Sequence, residues 1–359
     1  MKKQMMLVAL IATMLIAAGC SKQETIRTQQ EDQIGFNVLS DGALRGTAVT
    51  TANLTTKAPN FKVWAYLNAT PATEYVKGVE ISYQGTSWEY TNAADLAYWP
   101  SESLDFYAIN PATNAAVTPG ITASAKTLTY TVPDNGGASN ANQIDLMYAV
   151  DKGRSKITRV PLYFKHALSQ IVFKGQTISN TLEVEVEKIT IANVKGTGTF
   201  TLPTVTTAAV STAGTWALSG EADQKYTNAT NTTVVKDATA QELSPADGAY
   251  LILPQTATKW TTTPTTAVTI ATADTNHECY LALSVKIKQS GVYLVGDATS
   301  YGTVYVPFGG EDWAPSKKYI YTLKFGGGYD QDGKPILQPI LYDCTVEDWT
   351  DVSGDIELI

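Results

Sequence analysis

Apolar and polar residues alternate with a period of two over short runs along most of this chain, the pattern of strands with one face buried and one in water. Phe61, Val63 and Ala65 share a face, with Lys62, Trp64 and Tyr66 on the other. Leu104, Phe106 and Ala108 alternate with Asp105, Tyr107 and Ile109, and Leu128, Tyr130 and Val132 alternate with Thr and Pro. The clearest half-buried strand sets Leu182, Val184 and Val186 against Glu183, Glu185 and Glu187. Val285 and Ile287 alternate with Lys286 and Lys288, and Tyr319, Tyr321 and Leu323 share a face. Clusters of Gly, Asn, Asp and Pro punctuate these runs as turns do. Past the N-terminus no helix-period stretch exceeds a turn or two; 93–98 and 167–170 suit single helical turns. Many short strands predict an all-β fold, and 359 residues are too many for one sandwich, which needs about 100. Two are expected. Val160-Pro161-Leu162-Tyr163-Phe164 suits the last strand of the first and 166–173 opens the second, which divides the chain near Lys165 into 33–165 and 166–359.

The N-terminus has a different pattern. Lys2 and Lys3 precede an apolar stretch at 5–16, which suits a signal-peptide core and is too short to span a bilayer comfortably. Ala17, Ala18, Gly19 and Cys20 follow, the small-residue run of a bacterial lipobox, in which the Cys thiol receives the diacylglycerol. Ala17 stands where a bulkier aliphatic residue is usual; the plainer alternative is a signal peptide cut near Ala18. No later apolar run reaches the roughly 18 residues of a membrane helix. The expected product is an outer-membrane lipoprotein: 1–19 a leader, 20–32 a polar tether, and the rest held at the cell surface by the N-terminal lipid.

Composition narrows the chemistry. A net charge of -8 with 17% charged residues argues against nucleic acid, which asks for a basic stripe. The chain has two histidines, His166 and His277, which limits His-based catalysis and metal binding. On a strand His277 and Cys279 would share a face, yet no further ligand stands nearby. Cys279 and Cys344 either form a disulfide, which export permits and which a chain-entropy model values at about 4 kcal/mol, or stay as buried thiols. Thr-rich stretches at 204–215, 227–233 and 261–266 read as loops or exposed strand edges. The Gly run at 326–328 leads to Asp330 and Asp332, but the Glu of a calcium loop is missing and a hairpin turn is the better account. No serine-nucleophile elbow, phosphate loop or zinc motif occurs, so no enzyme and no cofactor is expected.

Several segments in order carry a resemblance. They are Tyr98-Trp99-Pro100, Leu104-Asp105-Phe106-Tyr107-Ala108, Asp145-Leu146-Met147-Tyr148-Ala149 and Leu162-Tyr163-Phe164-Lys165-His166-Ala167-Leu168-Ser169. Leu251-Ile252-Leu253-Pro254-Gln255, Trp313-Ala314-Pro315, Lys318-Tyr319-Ile320-Tyr321 and Asp348-Trp349 follow. Behind a lipobox this series resembles the fimbrillin family, the type V pilus subunits of Bacteroides-type bacteria. The resemblance spans nearly the whole exported chain. It implies two tandem transthyretin-like β-sandwich domains, lipoprotein export, maturation by an Arg-specific protease, and polymerisation with other pilus subunits by strand exchange.

Two stretches suit that mechanism. Ile34, Phe36 and Val38 share one face of a strand able to fill a sandwich groove, and Arg45 and Gly46 follow in a small-residue, turn-like stretch that a protease could reach. Arg45 is the candidate cleavage site and Arg27 a weaker one; either could equally be a plain surface arginine. At the other end Val352, Gly354, Ile356 and Leu358 alternate with Ser353, Asp355, Glu357 and Ile359, a pattern a vacated groove would accept by β-augmentation. The same residues could instead form the last strand of the second sandwich. A different function, a non-polymerising surface lipoprotein that binds glycans or host protein, would need Trp88, Tyr90, Trp216 and Trp260 presented together on an open face. Replacing Cys20 with Ser tests the anchor: cells fed a fatty-acid probe should label the wild type and not the variant, and a labelled, membrane-bound variant would remove the lipobox assignment.

Overall fold

The computed structural model describes residues 32–40, 54–69, 71–133, 143–207, 213–231, 234–245, 249–262, 268–337 and 340–348. Strand accounts for 54% and helix for 5%, so the fold is all-β. Among the described residues the first half contains β1 (Phe36–Ser40), β2 (Asn60–Leu67), β3 (Glu74–Tyr83), β4 (Trp88–Tyr90), β5 (Leu104–Asn110), β6 (Val117–Ile121), β7 (Lys126–Thr131), β8 (Met147–Arg154) and β9 (Val160–His166). The second contains β10 (Ser169–Thr177), β11 (Leu182–Val194), β12 (Thr197–Thr201), β13 (Thr215–Ser219), β14 (Gln224–Ala229), β15 (Val234–Val235), β16 (Gln241–Glu242) and β17 (Tyr250–Ile252). It continues through β18 (Tyr280–Gln289), β19 (Val292–Val295), β20 (Gly302–Pro307), β21 (Lys317–Phe325), β22 (Gly327–Tyr329), β23 (Pro335–Leu337) and β24 (Leu341–Asp348). Two short helices, α1 (Leu54–Lys57) and α2 (Ile270–Thr275), interrupt the strands.

Strands β1-β4-β3-β2-β5-β8-β9 close into a barrel around Phe36, Phe61, Val63, Phe106, Leu162 and Phe164. A ring of antiparallel neighbours needs an even number of strands. Seven leave one parallel seam, and it lies between β1 and β9, where Phe36–Ser40 runs beside Val160–Phe164. The β2, β5 and β8 strands are apolar on both faces because both are covered. Trp64, Tyr66, Tyr107, Ile109, Tyr148 and Val150 point away from the barrel core into a second, larger one. Their cover is a four-stranded sheet in the order β13-β12-β7-β6, with Leu128 opposite Phe200. The Tyr148 ring lies 4.7 Å from that of Phe200, and its hydroxyl accepts the Gly214 N–H at 3.1 Å. The Lys126 ammonium sits 4.1 Å from the Tyr66 ring centroid and 4.9 Å from that of Tyr107, a cation held over two rings.

The second half is a sandwich. One sheet runs β16-β10-β21-β24 with β17 also on β10; the other runs β14-β11-β18-β20-β22-β23. The β11–β18 register places Glu183 opposite Lys288 and Glu185 opposite Lys286, while Val184, Val186, Val285 and Ile287 are buried. Opposite charges on the wet face and branched aliphatics on the dry one fix that register together. The turn after β22 closes as a hairpin, with the Asp330 N–H donating to Lys334 O at 2.9 Å.

Residues 167–170 do not form the helical turn their sequence suggests. Gln170 and Ile171 pair with β17 on one side and β21 on the other, and this two-sided pairing overrides a weak local preference. At 93–95 a single 3₁₀ turn does form, capped by the Asn92 side chain at 3.0 Å from the Ala94 N–H. The α2 helix has no counterpart in the sequence reading. It is seated by Asn193, whose left-handed backbone (φ 60°) lets its amide donate to Ala273 O at 3.2 Å and Glu278 O at 2.8 Å.

The chain passes from β9 to β10 through buried His166, whose Nδ1 lies 2.8 Å from the Asp145 carboxylate. Ser316 Oγ donates to His166 O at 2.6 Å. The division near Lys165 falls at this crossing, yet the β13-β12-β7-β6 sheet draws two strands from each side of it. A fragment ending at Lys165 would leave the β7 edge open and Leu128 and Tyr130 uncovered. Calorimetry should therefore give one unfolding transition for the whole chain, and the isolated 33–165 fragment should aggregate or melt far lower; two independent transitions would mean that the halves are autonomous.

Candidate functional site

The β1 strand occupies a groove in the barrel wall between β4 and β9. Ile34, Phe36 and Val38 all point inward and are buried, as their alternation requires. The Phe36 ring centroid lies 6.2 Å from Phe61, 5.9 Å from Tyr90 and 6.1 Å from Phe106. Burying three such side chains contributes on the order of 5–8 kcal/mol before ordering costs.

The two edges of the groove hold β1 unequally. Along β9 the pairing is continuous and parallel, and the Val160 N–H donates to Gly35 O at 2.8 Å. Along β4 only Phe36 and Trp88 pair. Arg159 reinforces that single pair. Its Nη1 donates to Phe36 O at 2.9 Å and to Trp88 O at 3.4 Å, and its Nη2 lies 3.2 Å from the Glu89 carboxylate. The entry of the strand is clasped separately. Ile34 N–H donates to Ala97 O, Trp99 N–H donates to Asp32 O, and Gln33 bridges Tyr98. Lys156 and Asp32 form an ion pair. Trp99 then packs on Phe106 at 5.8 Å, so the Tyr98-Trp99 motif links the first strand to the barrel core. Neither Arg159 nor this clasp is signalled by alternation, because both act mainly on backbone carbonyls and amides.

The β24 strand forms the outer edge of its sheet. Cross-strand ion pairs Lys317–Asp348, Lys318–Glu347 and Lys324–Asp343 accompany its register with β21. Tyr342 packs on Phe308 and Tyr321, whereas Leu341 and Val346 are 63% and 53% exposed. Cys20, Arg27, Arg45, Gly46, Val352, Ile356 and Leu358 lie outside the described residues.

Cys279 and Cys344 are free thiols, the first buried and the second half-buried. Burial pushes both thiols up from their ordinary pKa. His277 does not share a strand face with Cys279, because it sits in a turn with φ 56° before β18 begins. Among the described residues no group of three or more His, Cys, Asp or Glu side chains is placed to hold a metal ion, and no helix is long and apolar enough to cross a membrane. Trp88, Tyr90 and Trp260 are buried, and Trp216 packs 5.0 Å from Phe200 while its indole donates to Ala167 O at 2.7 Å. These four rings form no open platform.

A fimbrial protein from Bacteroides vulgatus ATCC 8482 superposes with a TM-score of 0.58 at 17% identity, over 89% of this chain and 100% of that one. A candidate cell adhesion protein from Bacteroides uniformis ATCC 8492 gives 0.47 at 15% identity, covering 89% of this chain and 99% of its own. Another, from Bacteroides ovatus ATCC 8483, gives 0.48 at 13% identity with the same coverage of 89% and 99%. The fimbrillin-like family model matches residues 47–349, and the chain belongs to that family. No curated protein sequence matches it.

Phe36→Ala in the untrimmed chain should lower stability by about 3–5 kcal/mol in denaturant melts, the cost of an aromatic lost from a closed core. A loss under about 1 kcal/mol would mean that β1 lies on a wall complete without it. In the native protein iodoacetamide should label Cys344 before Cys279, and urea should bring the two rates together; equal native rates would contradict the burial difference.

Proposed function

We propose that this protein is a pilus subunit or adhesin of the cell surface, exported as a lipoprotein through Cys20 and assembled with like subunits by protease-triggered strand exchange. Membership of the fimbrillin-like family supports the surface and assembly role. The observation behind the finer reading is the position of β1. It is the first described strand, it closes the barrel, and it is attached to the rest of the chain through the stretch that contains Arg45. Cutting there would leave β1 held only by non-covalent contacts, and its departure would expose the β4 and β9 edges and an apolar groove at once. The family match starts at residue 47, on the far side of that candidate cut. A strand from a neighbouring subunit would then complete the wall, with Val352, Ile356 and Leu358 as the donor residues. The alternative of a solitary glycan-binding lipoprotein draws no support from the aromatic residues, which are committed to packing.

Two variants test this. Arg45→Ala should block trimming and leave surface monomers. Ile356→Asp with Leu358→Asp should trim normally yet fail to assemble, since a carboxylate in an apolar groove costs several kcal/mol. Wild-type protein that is trimmed after Arg45 and stays monomeric at high concentration would overturn strand exchange, as would laddering by the double Asp variant.

A further inference from the structure

Arg159 is more than a clamp on the resident strand. Its guanidinium lies beside Gly35, the residue whose side-chain position points out of the groove between Ile34 and Phe36. A Cβ placed on Gly35 would stand 3.2 Å from Arg159 Cγ, 3.3 Å from Thr158 O and 3.8 Å from the guanidinium carbon. The Arg159 side chain is 39% exposed and can yield the few tenths of an ångström such a Cβ needs. A side chain growing from this point runs along the guanidinium. A carboxylate one or two carbons out would reach it with hydrogen-bonding geometry, in competition with the half-exposed Glu89 that pairs with it now.

The groove therefore asks for three things of an occupant: an apolar residue in the Ile34 or Phe36 pocket, another two residues away, and between them a residue whose side chain meets Arg159. The C-terminal sequence Asp355-Ile356-Glu357-Leu358 alternates carboxylate and apolar side chain. With Ile356 in the Phe36 pocket, the residue beside Arg159 is Asp355 or Glu357, depending on strand direction. With Leu358 in that pocket and the strand running as β1 does, it is Glu357. The other registers that keep this face inward fill the groove less well: Gly354 leaves the Phe36 pocket empty, Val352 in that pocket brings Thr350 or Gly354 to the Ile34 pocket, and Leu358 in the reverse direction brings no residue to it.

Resting on the strand-exchange reading above, we infer that Arg159 is a specificity residue for the incoming strand, and that it selects a second copy of this chain by pairing with Asp355 or Glu357. The resident strand, with Gly35 at that place, leaves this contact unmade. An incoming tail adds it, and tails that lack an acidic residue between their apolar anchors are discriminated against.

The test uses full-length chains trimmed after Arg45 with an Arg-specific protease that spares lysine, product mass confirming the cut and an intact tail, and follows ladder formation with time. Arg159→Glu and the tail variant Asp355→Lys with Glu357→Lys should each slow assembly by about tenfold or more, since each sets like charges against one another. Combining them should bring assembly back to within about threefold of wild type. Arg159→Lys, which keeps the charge, should stay close to wild type. The untrimmed Arg159→Glu chain should melt lower, because it loses the bonds to Phe36 O and Trp88 O and sets a carboxylate against Glu89; the untrimmed tail variant should melt as wild type does, and it separates strand reading from barrel stability. The tail variant changes no residue of the barrel strands and tests the idea even if Arg159→Glu folds poorly. Wild-type rates in the tail variant would overturn the inference. So would failure of the charge-swapped pair to recover when both single variants are folded. A trimmed wild type that never assembles would overturn strand exchange itself, and the Arg159 role with it.

Discussion

Closure of the barrel in the first half of this molecule depends on a five-residue strand that precedes its neighbours in the chain. The β1 strand supplies the ring that Phe61, Tyr90 and Phe106 surround, and it is the strand that joins β4 to β9. A barrel has no free edge, which protects it from sticking to other sheets, and here that protection comes from one replaceable element. The strand is well buried but poorly laddered on its β4 side, so its hold comes from the β9 ladder, from side chains in pockets and from Arg159. Such contacts can be reproduced by another strand of similar pattern.

The rest of the barrel is held independently of that strand. The β2, β5 and β8 strands lie on the wall away from the groove and are buried on both faces, inward by the barrel core and outward by the β13-β12-β7-β6 sheet. Tyr148 on Phe200 and Lys126 over Tyr66 and Tyr107 tie that outer layer down. Opening the β4–β9 side would leave these contacts in place. Packing on two faces is concentrated on one side of the barrel, and the side that β1 closes has less of it.

Much of this was legible in the sequence wherever one face of a strand is wet. Glu183 to Lys188 and Val285 to Lys288 read correctly because their charges face water and each other. The alternation of Ile34, Phe36 and Val38 gave the first strand its inward face. Where both faces are covered the period disappears, and so 167–170 reads as a turn although it enters a strand paired on both sides. The cover that β6 and β7 provide across the middle of the chain was invisible, since pairing of Leu128 with Phe200 joins residues far apart in sequence. Arg159 looks like any solvated residue at a strand end. Its partners are mostly carbonyl groups, which every residue possesses, so no pattern of side chains could announce it.

The odd strand count has a consequence for polarity. With β1 gone, the remaining six strands alternate in direction without a break, and the β4 and β9 edges run opposite ways. A strand arriving in either sense meets one edge antiparallel and the other parallel. The edges differ in length, seven residues in β9 against three in β4. The resident strand spends its parallel seam on the long edge, the less favourable of the two arrangements, because parallel pairing is slightly weaker per residue. A strand entering in the reverse sense would set its antiparallel ladder along β9. Under the strand exchange proposed above, the resident strand is a provisional tenant, and the direction in which its successor runs would give every joint of a fibre the same head and the same tail.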